Sequence, residues 1–514
     1  MKTAWKMPER LCEIAQVQPG FGSRIALSDG VRQLTYSELD GCINAARNAF
    51  ADMGLVEGDR VALLLPTSIA FVISYFGAVR AGLVVLPLNP LLGPAEIGFI
   101  LSTMRPRAVV ADTAGAPFPV MAALDGIIAG IDATILLVPY DGENGFRGLM
   151  ESARTSEPCI VRGADEEALI LFTSGTSGRP KGASHREAGL LANTRYSNRA
   201  FRITSDDVLV CPLPLSHVFG QTVLMLGALM AGAELALVPR PTPDAIIETM
   251  KKRGATFIAA VPTAFVALTQ WGREHPGEAA AAARRLRFAF TGGAPLSAVA
   301  GEAFSATFGI PVHKGYGMTE VACCITLEGA GEPPAGGVGK ICDPIEYRIA
   351  RLADGSEEGE LEIRGPNMMG GYHIDGVFHP RSPDEWFATG DIARRDVHGD
   401  VFILDRKKEL IIRNGYNVYP SEVEATLAGH PSVALAAVIG VEDPAVGQEV
   451  AAFVSLRDGL SATEAELAEW CRKRIALYKY PRLVAILPAL PTNPTGKISK
   501  RDLDPGLLQR VDNR

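Results

Sequence analysis

Residues 173–182 read Thr-Ser-Gly-Thr-Ser-Gly-Arg-Pro-Lys-Gly and follow the apolar run 168–172, which predicts a buried strand. The glycines let the backbone curl so that its N–H groups point at one spot, and the hydroxyls and Lys181 add further donors. Such a loop at the end of a strand suits a polyphosphate. It differs from a Walker A loop, because Lys181 is followed by Gly182 and not by Ser or Thr. The alternative is a flexible surface turn of small polar residues.

The composition indicates a globular protein of several domains. A chain of 514 residues with 47% apolar residues is too long for a single hydrophobic core, so we expect two or three domains. The formal net charge of -8 argues against nucleic acid and against an anionic membrane surface as partners.

Targeting signals and cysteine usage favour a cytoplasmic protein without an integral membrane segment. Residues 1–10 lack the apolar stretch of a signal peptide, and the apolar window 71–88 is short and interrupted by Arg80. The eight cysteines show no metal-type spacing. We expect the adjacent Cys323 and Cys324 to serve as small apolar lining rather than as a strained disulfide.

Apolar runs alternate with helical patterns up to about residue 400, which is typical of βαβ units. The segments that predict buried strands are 60–66, 82–87, 108–111 and 256–262, and the helical patterns cover 36–53 and 94–104. They predict an α/β fold with a large N-terminal domain of parallel sheets flanked by helices. In such a domain, ligands bind at the carboxyl ends of the strands.

The pattern changes near residue 346. Short alternating strands at 346–349, 359–364 and 400–404 predict a small antiparallel, barrel-like subdomain. After them, strands mix with helices, one of which we expect to open with a capping box at Pro420–Glu424.

The charged run 405–408 lies between these two patterns and suits a hinge. We therefore expect an N-terminal domain over residues 1–405 and a small, mobile α+β domain over residues 406–514.

At this point the motifs match a family. The chain resembles the adenylate-forming (ANL) superfamily of acyl-CoA synthetases, acyl-AMP ligases, luciferases and peptide-synthetase adenylation domains. The resemblance covers nearly the whole chain, and its motifs occur in the family's order at 34–39, 173–182, 212–220, 291–295, 316–320, 386–391 and 491–499.

The resemblance implies how ATP is bound. The loop from Thr173 to Lys181 would close over the β- and γ-phosphates, with Thr173 and Glu320 on the side of Mg²⁺, which favours oxygen ligands. Tyr316 would stack on adenine, and Thr319 would meet the α-phosphate. The nucleotide-binding residues implied in this way are Thr173, Ser174, Gly175, Thr176, Ser177, Gly178, Lys181, Gly293, Ala294, Pro295, Gly315, Tyr316, Gly317, Met318, Thr319, Asp391, Arg406 and Lys497.

Four positions near the C-terminus receive roles from the same resemblance. The carboxylate of Asp391 would accept the two ribose hydroxyls, and Arg406 would contact the nucleotide. Lys408 matches the hinge position, about which the C-terminal domain would turn. Lys497 would neutralise the α-phosphate and the attacking carboxylate together, a catalytic role shared in part by Lys181, Thr319 and Glu320.

The resemblance also implies sites for the acid and for coenzyme A. The acyl pocket would be lined by His217, Val218, Val261, Gly292, Gly293 and Cys323, and Gly415, Tyr416 and Asn417 would meet coenzyme A. These pocket residues suit an apolar tail and offer no counter-charge to an amino group. Two positions depart from the family: His185 receives no role, and Arg413 stands near a position where some relatives have a lysine for the second half-reaction.

These observations predict an ATP- and Mg²⁺-dependent, AMP-forming acyl-CoA ligase that activates an apolar, fatty-acid-like carboxylic acid. Two alternatives stay open: an acyl-AMP ligase that loads a carrier protein, and a nucleotide-binding protein without activity. The intact Lys181, Glu320, Asp391 and Lys497 argue against the second alternative. The identity of the acid and the presence of a homodimer are not decided by the sequence.

Overall fold

A computed structural model of the chain describes residues 5–112, 120–142, 145–153, 159–173, 180–329, 336–352, 356–492 and 498–511. The chain forms two compact units: the first comprises residues 1–346 and 364–385, and the second comprises residues 347–363 and 386–514. The predicted domain boundary between residues 405 and 406, and the hinge at Lys408, stay predictions.

The strands are β1 (Ile25–Ser28), β2 (Gln33–Thr35), β3 (Arg60–Leu64), β4 (Val84–Pro87), β5 (Ala108–Ala111), β6 (Leu136–Pro139), β7 (Glu167–Thr173), β8 (Lys181–Arg186), β9 (Val208–Cys211), β10 (Glu234–Leu237), β11 (Phe257–Ala260), β12 (Phe288–Thr291), β13 (Val312–Met318), β14 (Cys323–Leu327), β15 (Lys340–Ile341), β16 (Glu346–Arg351), β17 (Gly359–Arg364), β18 (Gly371–Ile374), β19 (Val377–Pro380), β20 (Phe387–Arg395), β21 (Val401–Arg406), β22 (Ile411–Arg413), β23 (Tyr416–Val418), β24 (Val433–Asp443), β25 (Gly447–Leu456), β26 (Leu483–Leu487) and β27 (Gln509–Arg510).

The α-helices are α1 (Tyr36–Asp52), α2 (Ile69–Arg80), α3 (Pro94–Met104), α4 (Val120–Ala129), α5 (Phe146–Ser152), α6 (Glu187–Phe201), α7 (Gly227–Ala231), α8 (Pro243–Arg253), α9 (Pro262–Glu274), α10 (Pro276–Ala283), α11 (Ala298–Phe308), α12 (Pro420–Ala428) and α13 (Glu464–Arg472). A π-helix, Phe219–Leu226, directly precedes α7. Among the described residues, no helix is both long enough and apolar enough to cross a bilayer.

The first unit contains two large sheets with parallel centres. One has the order β15-β14-β13-β12-β11-β9-β10-β1-β2, and the other has the order β19-β18-β8-β7-β4-β3-β5-β6. In the first sheet the pairings from β13 to β1 are parallel, and antiparallel pairings occur at its two edges. The central strands are buried apolar runs such as Val208–Cys211 and Phe257–Ala260, as expected for strands covered by helices. The predicted α/β architecture is confirmed.

The second unit contains two smaller sheets. The predicted antiparallel subdomain is the four-stranded sheet β16-β17-β20-β21, in which β20 pairs antiparallel with both β17 and β21. The remaining strands β22–β27 form a second sheet, and α12 and α13 pack against its apolar side through residues such as Val423 and Leu467. This is the predicted α+β domain.

The predicted capping box at Pro420–Glu424 is wrong. Pro420 is the first helical residue, a position that suits proline because it needs no N–H donor there, and Tyr419 precedes it without a side-chain cap. The N–H of Ser421 instead donates to Asp405 Oδ2 at 2.8 Å. A long-range carboxylate therefore does what the local Ser-x-x-Glu pattern was expected to do.

Candidate active site

The phosphate-loop motif connects two antiparallel strands, β7 and β8, which lie between β4 and β18 in the first unit's second sheet. Strands β7 and β8 pair from Glu167 opposite Arg186 to Thr173 opposite Lys181, with one shift of register between Glu167 and Leu169. Close packing supports the start of β8, because a Cβ on Gly182 would lie 2.9 Å from the side chain of Ile170. The predicted phosphate contacts Ser174, Gly175, Thr176, Ser177 and Gly178 lie outside the described residues. Thr173 and Lys181 flank them.

Lys181 and Glu320 both contact Tyr372, a residue that the sequence did not reveal. The phenol of Tyr372 donates a hydrogen bond to Glu320 Oε1 at 2.6 Å, and Lys181 Nζ lies 5.5 Å from the centroid of the same ring. Burial, and then the charge of Glu320, raise the pKa of Tyr372 well above its usual value. The phenol therefore stays protonated and acts as a constant donor. Tyr372 was missed because no local motif marks a contact across 52 residues.

The segment that contains Tyr316 and Glu320 ends in a tight turn. Strand β13 runs to Met318, a 3₁₀ turn follows at Thr319–Val321, and β14 then returns antiparallel. A Cβ on Gly317 would lie 1.6 Å from the carbonyl oxygen of Cys323, so only glycine fits at this point. Tyr316 and Met318–Glu320 are half-buried, which leaves part of each residue accessible to a ligand.

Buried amide side chains hold the turn after Glu320. Asn193 Nδ2 donates to the carbonyls of Val321 at 2.9 Å and Cys324 at 3.1 Å, and Asn367 Nδ2 donates to Val321 at 2.8 Å. These hydrogen bonds give the buried carbonyls of the turn side-chain donors. Neither asparagine was predicted, because each lies far from the turn in the sequence.

His185, to which the sequence assigned no role, lies buried against the same turn. Burial lowers its pKa to about 4, against a smaller opposing effect from the Thr319 backbone, so the imidazole is neutral at neutral pH. Its Nε2 has no hydrogen-bond partner among the described residues.

The predicted acyl and adenine residues follow neighbouring parallel strands. Val261 follows β11, Gly292 follows β12, and the segment ending in His217 follows β9, all at the carboxyl edge of the sheet. Val218, Gly292 and Cys323 are buried, whereas His217, Gly293, Ala294 and Pro295 are exposed. Gly293 has a φ of +82°, a conformation that glycine adopts without strain.

An aromatic side chain that was not predicted contributes to this edge. The edge of the Phe219 ring lies 3.7 Å from the place where a Cβ of Gly292 would be, and this ring packs edge-on against Phe290 at 5.8 Å. A Cβ on Gly292 would also lie 3.4 Å from the carbonyl oxygen of Gly315. The structure therefore brings Gly292, Gly315 and Phe219 together. The signal in the sequence was the place of Phe219 two residues after His217.

The vicinal cysteines are free thiols, as predicted. Cys323 and Cys324 are both buried, and their sulfurs are 3.7 Å apart. Mutual hydrogen bonding with Cys324, and then burial, raise the pKa of the Cys323 thiol well above its usual value, so it stays neutral.

In the second unit, the two predicted nucleotide residues form an ion pair. Asp391 and Arg406 lie opposite each other on β20 and β21, and Arg406 Nε is 2.8 Å from Asp391 Oδ1. The side chain of Asp391 is 3% exposed, whereas that of Arg406 is 51% exposed. Gly390 has a φ of +76°, and its N–H donates to Glu360 Oε1 at 3.1 Å, which fixes the backbone beside Asp391.

The predicted coenzyme A residues occupy an exposed hairpin tip. Strands β22 and β23 are joined by Asn414 and Gly415, whose φ values of +51° and +79° are those of a type I′ turn. Gly415, Tyr416 and Asn417 are all exposed. The ring of Tyr416 stacks on Tyr478 with centroids 4.7 Å apart.

Arg413, the residue before this turn, has a partner inside the second unit. Its Nε lies 2.6 Å from Glu449 Oε1 and its Nη2 lies 3.3 Å from Glu449 Oε2, and both side chains are buried. Arg413 therefore holds a buried carboxylate, which is a different role from that of the lysine in some relatives. Lys408 is exposed, and Lys497 lies outside the described residues.

Comparison with known proteins identifies the family. The profile of the AMP-binding enzyme family matches residues 15–373, and that of the AMP-binding enzyme C-terminal domain matches residues 422–497. The chain belongs to the AMP-binding enzyme family. It is an adenylate-forming enzyme of the acyl-CoA synthetase type, and thus an acid–thiol ligase.

Relatives of this AMP-binding enzyme are named for different acids. The long-chain-fatty-acid–CoA ligase FadD13 of Mycobacterium tuberculosis is 31% identical over 504 residues, which cover 96% of each chain. The oxalate–CoA ligase of Arabidopsis thaliana is 32% identical and covers 97% of this chain and 98% of its own. A feruloyl-CoA synthase of Amycolatopsis sp. is 32% identical, and the match covers 93% of this chain and 95% of the synthase.

Among solved structures, the AMP-binding enzyme is similar to ATP-bound MatB from Rhodopseudomonas palustris. The two share 31% identity with a TM-score of 0.86, and the match covers 96% of this chain and 97% of MatB. The o-succinylbenzoate CoA synthetase of Bacillus subtilis, in complex with its acyl-adenylate, gives a TM-score of 0.82 at 27% identity, covering 96% and 97%.

Proposed function

We propose that this enzyme uses ATP and Mg²⁺ to convert an apolar carboxylic acid to its acyl-adenylate and then to its coenzyme A thioester. The observation that carries the proposal is the cluster of Lys181, Tyr372 and Glu320 beside the strand ends that flank the phosphate-loop motif. One ammonium and one carboxylate beside this motif would suit a triphosphate and its counter-ion, which supports the proposal. The ATP-bound state of MatB and the names of the CoA-ligase relatives support this assignment.

Glu320 suits a metal that arrives with ATP. Protein-bound Mg²⁺ usually takes one or two carboxylates besides phosphate oxygens and waters. Only one oxygen of Glu320 has a hydrogen-bond partner within the described part of the chain, so the other is available, and the Thr173 hydroxyl is a second candidate ligand. When bound, Mg²⁺ would neutralise phosphate charge.

The residues then divide the work of two half-reactions. In the first, the substrate carboxylate attacks the α-phosphorus and pyrophosphate leaves, with Lys181 holding the leaving phosphates and Lys497 neutralising the reacting oxygens. Asp391 accepts the ribose hydroxyls, and Tyr316 stacks on adenine. In the second, the thiol of coenzyme A attacks the acyl carbonyl and AMP leaves, with Gly415–Asn417 as the contact region and Lys408 as the hinge.

An apolar acid is proposed from the composition of the pocket edge. Val218 is 3% exposed and Cys323 is 7% exposed, and Phe219 packs beside Gly292. The side chains at this edge are therefore apolar or uncharged. The exposed His217 is the polar group closest in sequence, and we assign it to the carboxylate end of the acid.

A panel of carboxylic acids tests the proposal. Pyrophosphate release is followed with fatty, aromatic and dicarboxylic acids, and the thioester is measured with free coenzyme A and with a holo-carrier protein. We expect release with apolar acids and thioester with coenzyme A. Thioester with the carrier protein alone would establish the carrier-loading alternative, and preference for oxalate would refute the apolar pocket.

A lysine variant tests the role of the cluster. Lys181→Met should reduce kcat/KM for ATP by about 100-fold or more, because a charge that holds the leaving phosphates is lost. Lys252→Met is the matched control, since Lys252 forms an exposed helical ion pair with Glu248. Equal activity of the two variants would refute the phosphate role of Lys181.

A further inference from the structure

The strand pair β8–β18 presents Tyr372 and Lys181 on one face. Tyr372 lies opposite Ala183, and Lys181 is two residues before Ala183, so the three side chains project from the same side of the sheet. His373, the next residue, projects from the other side, where it meets Glu167 at 2.6 Å. The register therefore separates Tyr372 from the hydrogen bond between His373 and Glu167, and the Tyr372 hydroxyl instead meets Glu320.

The segment before Tyr372 holds the same turn by its backbone. Met369 N–H donates to the carbonyl of Glu320 at 2.8 Å, and Asn367 Nδ2 donates to the carbonyl of Val321 at 2.8 Å. Residues 367–372 therefore bind both the main chain of this turn and the Glu320 carboxylate. Three contacts from one short segment therefore restrict the position of Glu320.

Only one oxygen of Glu320 takes part. The phenol donates to Oε1, and within the described part of the chain Oε2 has no hydrogen-bond partner. A hydrogen bond from a neutral donor to a carboxylate is short and strong, and it restrains the oxygen that accepts it. The ring also contributes, because Lys181 Nζ lies 5.5 Å from its centroid, within the range of a cation–π contact.

We propose that Tyr372 is a positioning residue for metal–nucleotide binding: its hydroxyl holds Glu320 Oε1 so that Oε2 remains available to the divalent cation on ATP. This inference rests on the proposed function, in which Glu320 serves that cation. Tyr372 acts through Glu320 and touches neither the reacting atoms nor the substrate.

Binding of a non-cleavable nucleotide tests the inference without turnover. The dissociation constant of α,β-methylene-ATP is measured by calorimetry with Mg²⁺ and with EDTA, and the ratio of the two constants is the coupling between metal and nucleotide. In Tyr372→Phe the ring and its contact with Lys181 remain, and only the hydroxyl is lost. Loss of one hydrogen bond to a charged group should reduce the coupling by about tenfold and leave binding in EDTA unchanged.

Tyr75→Phe is the matched control. Tyr75 is fully buried in α2, and its hydroxyl has no partner among the described residues, so the variant removes the same group from a buried site. It should keep the wild-type coupling.

Glu320→Gln should reduce the coupling at least as much as Tyr372→Phe. The double variant should show the same coupling as Glu320→Gln alone, because Tyr372 acts on the metal only through the Glu320 carboxylate.

The outcomes distinguish failure of the positioning role from failure of the proposed function. If wild-type protein shows coupling but Tyr372→Phe matches Tyr75→Phe, or if the effects of Tyr372→Phe and Glu320→Gln add fully, the positioning role is refuted and the proposed function stands. If wild-type protein does not bind the analogue, or binds it equally with EDTA, both fail. Melting curves of each variant confirm that the loss of coupling is not a loss of folding.

Discussion

Replacing Arg413 with methionine should destabilise the second unit, because it removes the guanidinium that forms two hydrogen bonds with a buried carboxylate. Glu449 is fully buried, and its main partners are the two nitrogens of Arg413 at 2.6 and 3.3 Å. After the substitution, the N–H of Val450 at 3.1 Å and the guanidinium of Arg482 at 3.6 Å would still lie close to this carboxylate.

These contacts set the expected loss of stability in Arg413→Met. Removing one partner of a buried ion pair typically costs about 3–5 kcal/mol. Arg482 stays close enough to offset part of the loss, so we expect the lower end, about 3 kcal/mol, which corresponds to roughly a 150-fold change in an opening equilibrium. The double variant Arg413→Met/Glu449→Leu should recover most of this stability, since it removes the unpaired charge.

Hydrogen exchange of the full-length chain measures the effect where it occurs. The amides of β25 from Val450 to Leu456 lie between two neighbouring strands and should exchange roughly 150-fold faster in Arg413→Met. Peptides from β11 in the first unit serve as an internal reference. Arg472→Met is the control variant, because Arg472 and Glu469 form an exposed ion pair that should contribute little to stability.

The stability difference between Arg413→Met and wild-type protein should decrease as the pH falls. Burial alone would raise the pKa of Glu449, but hydrogen bonds from Arg413 and Val450 outweigh it and hold the pKa below its usual value. In wild-type protein this stabilisation is present above the unfolded-state pKa of about 4.3 and is lost as pH falls through the lower folded pKa. Without Arg413, burial dominates, so the difference between variant and wild type should be largest at neutral pH and shrink near pH 4.

The reasoning would be refuted if exchange of the β25 amides in Arg413→Met stayed within about threefold of Arg472→Met at pH 7, since roughly threefold is less than 1 kcal/mol. A difference that grows toward low pH would contradict the assigned direction of the Glu449 pKa shift.

Two glycine substitutions test the turns of the site. Gly317→Ala places a Cβ 1.6 Å from the carbonyl oxygen of Cys323, so binding of α,β-methylene-ATP should be lost and the melting temperature should fall. The control Gly309→Ala has open space around its Cβ and should cost only about 1 kcal/mol of stability. Retained nucleotide binding by Gly317→Ala would contradict the close approach. Gly415→Val, at an exposed turn with a φ of +79°, should slow thioester formation and leave acyl-adenylate formation intact. Gly459→Val, at a φ of +74°, is the control. Equal loss of both half-reactions in Gly415→Val would argue against a role in coenzyme A binding.

Elements whose signal is local were predicted closely. Helix Pro94–Met104 and strand Ala108–Ala111 have the predicted bounds, because proline in the first helical turn and four consecutive apolar residues are local signals. The cap of the helix that begins at Pro420 was wrongly predicted, because the Ser-x-x-Glu pattern is local, whereas Asp405, which accepts from Ser421 N–H, is distant in the sequence.

The candidate site was predictable only in part. Motif order marked Glu320, Asp391 and Arg406, and strand register then showed that the last two face each other. No pattern marked Tyr372 as the partner of Glu320, since hydrogen bonds between distant segments leave no periodic signal in the chain.

The motifs and their order are sufficient to place the chain in its family, because glycines, hydroxyls and charges at set spacings are a chemical requirement of phosphate binding that local sequence must satisfy. The chain's fold supplies what those motifs leave open. It pairs Tyr372 with Glu320, which stays half-buried, and it buries Arg413 against Glu449. The physical reason is that solvent exposure and partners, which set the strength of an ionic contact, exist only once distant segments have packed together.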